Sequence, residues 1–267
     1  MAVANILSIA GSDPSGGAGI QADLKTFAAC GAYGMAALTA LTAQNTQGVS
    51  DVHLVPPAFV AAQIAEVLRD VRVDAVKIGM IASAETTLSV ADALSPRRGV
   101  PVVLDPVMVA KGGASLLARD AVAALTHRLL PLAAVLTPNL PEAAALLGEA
   151  EAGDRAGMAD QARRLLELGP KAVLLKGGHL PGAQSPDVLA TPEGVSWFEG
   201  VRIVTRNTHG TGCTLSSAIA AELGKGRPLA DAVAAAKRFV AGAVRASDAL
   251  SVGSGHGPLH HFHALRA

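Results

Sequence analysis

Residues 5–19, NILSIAGSDPSGGAG, decide the fold class, because they join a short apolar run to a glycine-rich loop. The apolar run predicts a strand over Asn5–Ala10, and a helix is predicted at 20–30, ending at Gly31. Strand, loop and helix in this order are typical of an α/β protein.

The same order continues along the chain. Further strands are predicted at 35–41, 75–78, 100–104, 133–136, 172–175, 187–190 and 195–198, and further helices at 57–71, 84–94, 118–130, 141–147, 155–168, 212–223 and 229–247. Strands separated by helices imply crossover connections, and therefore a mostly parallel sheet covered on both faces. The chain has neither a Pro- or Ser-rich linker nor an internal repeat, so a single domain spanning 1–267 is predicted.

Composition excludes several classes of protein. The 22 basic residues equal the 22 acidic ones, and no basic stripe is visible, which argues against a nucleic-acid partner. The chain has no run of about 18 apolar residues, so no membrane span is predicted. Its N-terminus lacks the basic residues with which a signal peptide begins. Two cysteines, Cys30 and Cys213, do not indicate a disulfide framework. A cytoplasmic enzyme is expected.

Several polar or glycine-rich positions follow predicted strands. They are Gly11, Gln44, Gly79-Met80, Asp105, Asn139 and Lys176. In an open α/β sheet, ligands bind beyond the carboxyl ends of the strands. These positions therefore predict one shared site.

Residues 207–214, NTHGTGCT, precede an apolar helical run and are the strongest local motif. Glycines there leave backbone N–H groups uncovered at a helix N-terminus, which suits a phosphoryl group in transit. Cys213 falls in the first helical turn, where the helix can lower the pKa of a thiol. We expect it to take a proton from an attacking hydroxyl, whereas Cys30 is expected to be a buried small residue.

The first loop, 11–19, lacks the spacing of a Walker A loop and of the dinucleotide fingerprint. It either approaches a ligand closely or is a plain turn between strand and helix. Asp23 then either favours the helix dipole or accepts a hydrogen bond from a substrate hydroxyl.

Other candidates have simple alternatives. Lys176 reaches phosphate oxygens or is an exposed edge charge, and Asp105 holds Mg²⁺ or sits in a turn. Asn139 contacts a phosphate and Glu142 holds Mg²⁺, or both residues simply start a helix at an Asn-x-Pro turn. The tract His260, His261, Phe262 and His263 looks like a metal site but has no acidic or cysteine partner nearby.

Together these motifs resemble one family along essentially the whole chain. The segments that carry the resemblance are 10–27, 42–50, 77–81, 105–109, 137–144, 175–180, 207–217 and 257–264. In this order and spacing the chain resembles the hydroxymethylpyrimidine/phosphomethylpyrimidine kinases of the ribokinase-like superfamily.

The resemblance implies a three-layer α/β/α fold with a mainly parallel sheet, and two successive phosphorylations at one site. It implies ATP and Mg²⁺, a small pyrimidine substrate and a homodimer. The implied substrate pocket is Gly11, Asp23, Gln44, Met80 and Val107, with Cys213 as the catalytic base. The implied ATP-phosphate ligands are Asn139, Lys176, Thr208, Gly210, Thr211 and Gly212, with Lys237 near the nucleotide and with Asp105 and Glu142 for Mg²⁺.

Two alternatives stay open. A related kinase acting on pyridoxal or pyridoxine is not excluded by Cys213, although Gln44 favours the aminopyrimidine. A silent binding protein on the same fold is the second alternative, and it should have lost part of the anion loop, Lys176 or Cys213. The segment near residues 111–113 is a candidate lid.

Overall fold

The computed structural model describes residues 2–97, 99–108 and 119–265. The strands of this part of the chain are β1 (Asn5–Ala10), β2 (Tyr33–Leu38), β3 (Ala40–Gln44), β4 (Val49–Leu54), β5 (Ala75–Ile78), β6 (Val102–Leu104), β7 (Val135–Leu136), β8 (Val173–Lys176), β9 (Asp187–Thr191) and β10 (Gly194–Phe198). The helices are α1 (Gly19–Ala29), α2 (Pro57–Asp70), α3 (Ala84–Leu94), α4 (Arg119–Ala124), α5 (Leu140–Leu147), α6 (Arg155–Leu166), α7 (Thr211–Gly224) and α8 (Leu229–Arg245).

The central sheet has the order β10-β9-β8-β7-β6-β5-β1-β2 in the described residues. The pairs from β2 to β8 are parallel, and β9 and β10 continue the sheet antiparallel. Helices must cover both faces of such a sheet, because its strands are connected by crossovers.

Two hydrophobic cores confirm the three layers. Leu7 and Ile9 of β1 face one core, whereas Ile6 faces the other, as the two-residue period of a strand requires. The first core is closed by α2 to α6 and the second by α1, α7 and α8. The expected α/β/α architecture with a mainly parallel sheet is therefore confirmed.

The predicted strand at 35–41 is wrong at its C-terminal end. β2 stops at Leu38, and the chain leaves the sheet to form β3, which pairs antiparallel with β4 in a separate hairpin. In β3 only Ala40 is buried, so this segment has no core face to hold it in the central sheet. The strand β4 was not predicted, because half of Val49–Leu54 is polar and most of its residues are exposed.

The predicted helix at 118–130 also differs. Regular helix ends at Ala124, followed by a π-helical turn over Leu125–Leu129 and a 3-10 turn over Leu130–Leu132. Pro131 lies inside the 3-10 turn, and because it has no backbone N–H to donate, a regular α-helix cannot continue through it. The candidate lid at 111–113 lies outside the described residues. In those residues, every helix is too short or too polar to cross a membrane.

Candidate active site

The carboxyl ends of the parallel strands converge on the N-terminus of α7. Asp105 follows β6, Lys176 ends β8, and a Cβ atom on Gly212 would lie 3.3 Å from Lys176 Nζ and 3.5 Å from Asp105 Oδ2. The structure thus brings together three residues that are distant in the sequence. Asp105 and Lys176, two of the strand-end positions, thus meet at one edge of the sheet, where the sequence predicts a shared site.

The first turn of α7 has the form of an anion site. Gly210 is its N-cap with φ of 79°, and no side chain caps the helix. A Cβ atom on Gly210 would lie 1.8 Å from the carbonyl oxygen of Gly17, so the two glycine-rich loops touch through their backbones. A helix N-terminus without a side-chain cap presents backbone N–H groups and partial positive charge to a phosphate.

Lys176 lies between two carboxylates. Its Nζ donates to Asp105 Oδ1 at 3.0 Å and is 3.9 Å from Glu142 Oε2. Burial opposes the charge of Lys176, but Asp105 and Glu142 outweigh burial and raise its pKa. The amine is therefore a positive charge held in place beside the N-terminus of α7. A lysine held in this way is better suited to bind a phosphate than the exposed edge lysine that was the alternative.

Asn139 and Glu142 form a capping box at the start of α5. Asn139 Oδ1 accepts from the Glu142 N–H, and Glu142 Oε2 accepts from the Asn139 N–H, both at 2.8 Å. The helix-start alternative for this pair is thus realised in the structure. It does not exclude a second role, because the same Glu142 carboxylate lies beside Lys176 in the site.

The residues present fit a magnesium ion that also binds nucleotide phosphates. Burial and the charge of Asp105 raise the pKa of Glu142 to about 7, although Lys176 opposes this effect. Two carboxylates that share one lysine leave negative charge that a cation would neutralise. Among the described residues no group of three His, Cys, Asp or Glu side chains is placed to hold a metal, but Mg²⁺ commonly needs one or two carboxylates plus phosphate oxygens.

Cys213 stands in the first turn of α7, as the sequence predicts, but the structure changes its expected ionisation. Burial raises the pKa of the thiol to about 11, against the lowering effects of Lys77 and of a hydrogen bond from the Gly19 backbone N–H. Asp23 and Asp105 add to the increase. In the free protein Cys213 is therefore a neutral thiol at pH 7, contrary to the expectation that the helix terminus would lower its pKa.

Asp23 is fully buried and its carboxylate is already engaged. Oδ2 accepts from Ser8 at 2.6 Å and pairs with Lys77 Nζ at 2.9 Å, and Oδ1 accepts from Ser217 at 2.7 Å. Lys77 is also completely buried, and a Cβ atom on Gly79 would lie 2.6 Å from its Nζ. The structure places Asp23 beneath the site, where it joins β1, β5, α1 and α7, and leaves it little capacity for a substrate hydroxyl.

Gln44 lies at the other side of the site, next to two residues that sequence reasoning missed. Its amide contacts Thr42 Oγ1 at 3.1 Å and His209 Nε2 at 3.3 Å, and His209 Nε2 lies 2.8 Å from Asp13 Oδ2. Hydrogen bonds from His209 and Ser15 lower the pKa of Asp13 against the effect of burial. The available signal was the position of Asp13 and His209 inside the two glycine-rich loops.

Comparisons with known proteins give the family. The family model described as phosphomethylpyrimidine kinase matches residues 13–260. The chain is 55% identical over 260 residues to the hydroxymethylpyrimidine/phosphomethylpyrimidine kinase of Escherichia coli K12, covering 97% of this chain and 98% of that one. The chain belongs to the phosphomethylpyrimidine kinase family.

Solved structures agree with the phosphomethylpyrimidine kinase fold. An ADP complex of Bacillus subtilis pyridoxal kinase is 36% identical with a TM-score of 0.91, covering 100% of both chains. A phosphomethylpyrimidine kinase from Clostridium difficile 630 is 42% identical with a TM-score of 0.79, covering 89% of this chain and 97% of that one. The protein is thus a phosphotransferase with the ribokinase-like fold that was expected, and the family implies ATP as its co-substrate.

The remaining pocket residues that the resemblance to the phosphomethylpyrimidine kinases implies lie around the same edge. Met80 Cε would be 2.3 Å from a Cβ atom on Gly11, so the missing side chain of Gly11 makes room for Met80. Val107 follows Asp105, and its N–H donates to the Asp105 carbonyl at 2.8 Å. Gly11 and Met80 are thus in contact after the neighbouring strands β1 and β5, and Val107 follows the next strand, β6.

Lys237 contacts the segment around Ser185 and Asp187. Its Nζ pairs with Asp187 and donates to the Ser185 carbonyl at 2.9 Å, and Asp187 Oδ1 accepts from the Gly177 N–H. Lys237 therefore supports the loop after Lys176. Thr208 lies in the loop before α7 and Thr211 is the first residue of that helix, and the Thr211 hydroxyl donates to the Thr208 carbonyl at 2.8 Å.

The histidine tract packs against the helices of this kinase. His261 is buried and its Nε2 lies 3.0 Å from Thr214 Oγ1 of α7. Burial lowers the pKa of His261 to about 4, so this ring is neutral at pH 7. His263 is in ring contact with Phe239 at 5.3 Å. These contacts give the tract a structural role in tying the C-terminal segment to α7 and α8.

Proposed function

We propose that this kinase transfers the γ-phosphoryl group of ATP to the hydroxymethyl group of 4-amino-5-hydroxymethyl-2-methylpyrimidine, and then phosphorylates the monophosphate to the diphosphate. The observation that carries the proposal is the 55% identity, over nearly the whole of both chains, to a kinase named for both substrates. A 54% identical protein from Geobacter sulfurreducens is named as a thiamine biosynthesis protein, which supports the same pathway here.

Phosphoryl transfer requires positioning and charge stabilisation more than covalent chemistry. We infer that the backbone N–H groups of Gly210 to Gly212 and the amine of Lys176 bind the phosphate in transit. The substrate hydroxyl oxygen forms the new bond to the γ-phosphorus, and the bond to the β,γ-bridging oxygen breaks. Asn139 and Thr208 are proposed to contact the ATP phosphates from the flanking loops, and Lys237 is proposed to lie near the nucleotide.

Asp105 and Glu142 would hold Mg²⁺. When bound, this ion would neutralise phosphate charge and lower the pKa of nearby groups. Cys213 is proposed to accept the proton of the hydroxyl at its Sγ atom. Because burial raises the pKa of Cys213 to about 11, this role requires that the thiol lose its proton in the loaded site, where Lys77 and the Gly19 N–H already favour the thiolate.

Gln44 is proposed to recognise the aminopyrimidine edge, because an amide offers one acceptor and one donor side by side. Gly11, Met80 and Val107 would complete the pocket, with Asp23 supporting it from below. The substitution Gln44→Ala should weaken pyrimidine binding much more than ATP binding. An equal loss of affinity for both ligands in calorimetry would contradict this assignment.

Pyridoxal is the second candidate substrate, favoured by the TM-score of 0.91 to a pyridoxal kinase. The deciding experiment incubates the protein with Mg-ATP and either the aminopyrimidine or pyridoxal, and follows products by mass. A pyrimidine monophosphate followed by a diphosphate supports the proposal. Pyridoxal phosphate alone would move the assignment to the vitamin B6 reaction, and no product from either ring would favour a silent homologue.

We also propose a cytoplasmic homodimer. The family resemblance motivates the dimer, and the exposed side chains of Leu41 and Leu54 on the β3–β4 hairpin offer apolar surface for it. The cytoplasm is proposed as the location because the kinase needs a supply of ATP. Light scattering coupled to size exclusion tests the dimer, and a mass equal to one chain at micromolar concentration would reject it.

A further inference from the structure

The hydrogen bonds around the Gln44 amide favour one orientation of that group over the other. Gln44 Oε1 lies 3.1 Å from Thr42 Oγ1, and Gln44 Nε2 lies 3.3 Å from His209 Nε2. The oxygen and nitrogen of an amide have nearly the same size, so their positions follow from the donors and acceptors around them. A half-turn of the amide exchanges the two atoms without moving the rest of the side chain.

The contact with His209 requires an acceptor from Gln44. Asp13 Oδ2 is 2.8 Å from His209 Nε2 and also accepts from the backbone N–H groups of Gly17 and Ala18. An ionised carboxylate only accepts, so Nε2 of His209 carries a proton and donates. A second donor facing this N–H, such as the Gln44 NH₂ group, would set donor against donor. The single proton on Nε2 points mainly at Asp13, so the oxygen of Gln44 shares it as the longer branch of a bifurcated hydrogen bond, which the NH₂ group could not do.

The contact with Thr42 requires a donor from Gln44, for an independent reason. The Thr42 hydroxyl has one proton, and it donates that proton to the Ser12 carbonyl at 2.9 Å. A carbonyl cannot donate in return, so Thr42 Oγ1 is left as an acceptor toward Gln44. The NH₂ group of Gln44 satisfies this contact. Both neighbours therefore select the same amide orientation, with oxygen toward His209 and nitrogen toward Thr42.

We propose that His209, held by Asp13, is a positioning residue that fixes the Gln44 amide and makes the site select a ring with an exocyclic amino group beside a ring nitrogen. The inference rests on the proposed function. In the fixed orientation each amide atom uses one hydrogen-bonding position on the protein and keeps one for the ligand. The oxygen accepts from the amino group, and the NH₂ group donates to the ring nitrogen.

An oxo ring would meet the opposite pattern. In 5-hydroxymethyl-2-methylpyrimidin-4-one the carbonyl replaces the amino group, and the adjacent nitrogen carries a proton. Binding in the same pose would then oppose acceptor to acceptor and donor to donor, unless the amide turned over. With His209 and Thr42 in place, turning costs both of the bonds that hold the amide, so the wrong ring is rejected.

The test compares kcat/KM for the aminopyrimidine with kcat/KM for its 4-oxo counterpart in the wild type and in two variants. His209→Leu removes the donor, and Thr42→Val removes the hydroxyl with little change of shape. Each should lower the amino-to-oxo preference by about tenfold or more, since an opposed buried polar pair typically costs a factor of that order. The KM for ATP should change by less than about twofold in Thr42→Val, since the Thr42 contacts lie outside the 208–212 loop.

His261→Leu is the control, because it removes another buried histidine, whose ring contacts Thr214 of α7 rather than Gln44 or Asp13. Its preference ratio should equal that of the wild type even where its melting temperature falls. Calorimetric binding of both pyrimidines without ATP gives the same ratio independently of turnover. A merely structural role for His209 would lower stability and leave this ratio unchanged.

An unchanged ratio in active His209→Leu and Thr42→Val variants would overturn the positioning role while leaving the proposed function intact. If His209→Leu does not fold, His209→Asn takes its place, because Thr42→Val tests the orientation of the amide and not the role of His209. A wild-type protein that phosphorylates neither pyrimidine would overturn the proposed function, and the ring selection with it.

Discussion

The substitution Gly210→Ala tests whether the contact between the two glycine-rich loops builds the phosphate site. Gly210 has φ of 79°, and a Cβ atom there would lie 1.8 Å from the carbonyl oxygen of Gly17. Gly226 provides a matched control, because its φ is 80° and nothing lies within 4 Å of an added Cβ atom. The two variants share the backbone strain and differ in the steric conflict.

The structure gives the magnitude of each effect. A left-handed L-residue costs roughly 1–2 kcal/mol, and the lost flexibility of the unfolded chain returns about 0.4–1 kcal/mol, so Gly226→Ala should cost about 1 kcal/mol. In Gly210→Ala the loop at Gly17 must also retreat by about 1.5 Å to reach van der Waals contact. Overpacking of this kind adds roughly 1–3 kcal/mol.

Activity should separate the two variants more sharply than stability. A displacement of about 1 Å in a positioned site costs on the order of 10² in rate, so Gly210→Ala should lose that factor or more in kcat/KM. Gly226→Ala should retain normal turnover, since Gly226 lies past the opposite end of α7.

Thermal denaturation and steady-state kinetics check both expectations. At roughly 2–4 °C per kcal/mol for a chain of this size, the control should melt about 3 °C below wild type and Gly210→Ala several degrees lower still. If the two variants melt within about 1 °C of each other and turn over equally, the loop contact does not build the site and the reasoning fails.

Three further predictions concern charged and ionisable groups. Cys213→Ala should lower kcat by roughly 10²–10⁴ if Cys213 is the base, and near-normal turnover would reject that role. Because the pKa of the Cys213 thiol is raised to about 11, its rate of alkylation by iodoacetamide in the free enzyme should keep rising above pH 9. A plateau of this rate at about pH 8.5 would contradict the burial argument. The pKa of Glu142 is raised to about 7 from an unfolded value near 4.5, so this group should make the free protein less stable as pH rises from about 4.5 to 7. Because the carboxyl group ionises near pH 7, the affinity for Mg²⁺ should increase between about pH 6 and 8. In calorimetric titrations of Glu142→Gln that increase should be absent. Asp23→Asn leaves the buried Lys77 ammonium without its counter-ion and should cost about 3–5 kcal/mol in urea denaturation, whereas a loss below about 1 kcal/mol would show that the pair is not a stabilising unit.

The sequence predicted the parallel sheet well because its strands carry their own signal. The segments 75–78 and 84–94 were predicted with the same bounds that the structure shows, since one is a short buried run of three apolar residues and Lys77, and the other is a helix that starts at a Ser83 N-cap. Because ligands bind beyond the carboxyl ends of the strands in such a sheet, Asp105 and Lys176 were predicted from the sequence to lie at one edge. Local pattern and general topology were sufficient for these features.

The β3–β4 hairpin was missed for the opposite reason. Its residues alternate weakly and are mostly exposed, so no hydrophobic period separates Ala40–Gln44 from the strand before it. The turn after 124 was missed because a π-helical turn keeps the same apolar residues as an α-helix, and periodicity does not separate the two.

The contacts that define the pocket connect residues far apart in sequence. Gln44 and His209 are 165 residues apart, and Asp13 and His209 are 196 apart. A pattern in the sequence assigns each residue to a strand end or loop, but it gives no sign that one histidine bridges two loops. Ionisation is likewise set by burial, which is why the helix start at Cys213 suggested a low pKa and the structure gives a high one.

The position of α7 explains why the phosphate end of this helix is rigid. Two adjacent serines tie it to carboxylates from different elements: Ser217 donates to Asp23 of α1 at 2.7 Å, and the Ser216 hydroxyl lies 3.3 Å from Asp105 at the end of β6. Because Asp23 is also paired with Lys77, a shift of α7 would disturb a buried ion pair as well as a hydrogen bond. Asp105 in turn contacts Lys176, so the same carboxylate that anchors the helix also orients the amine that faces its N-terminus. Burying these charges costs free energy, but it holds the proposed donors for a transferred phosphoryl group in place before the substrate arrives.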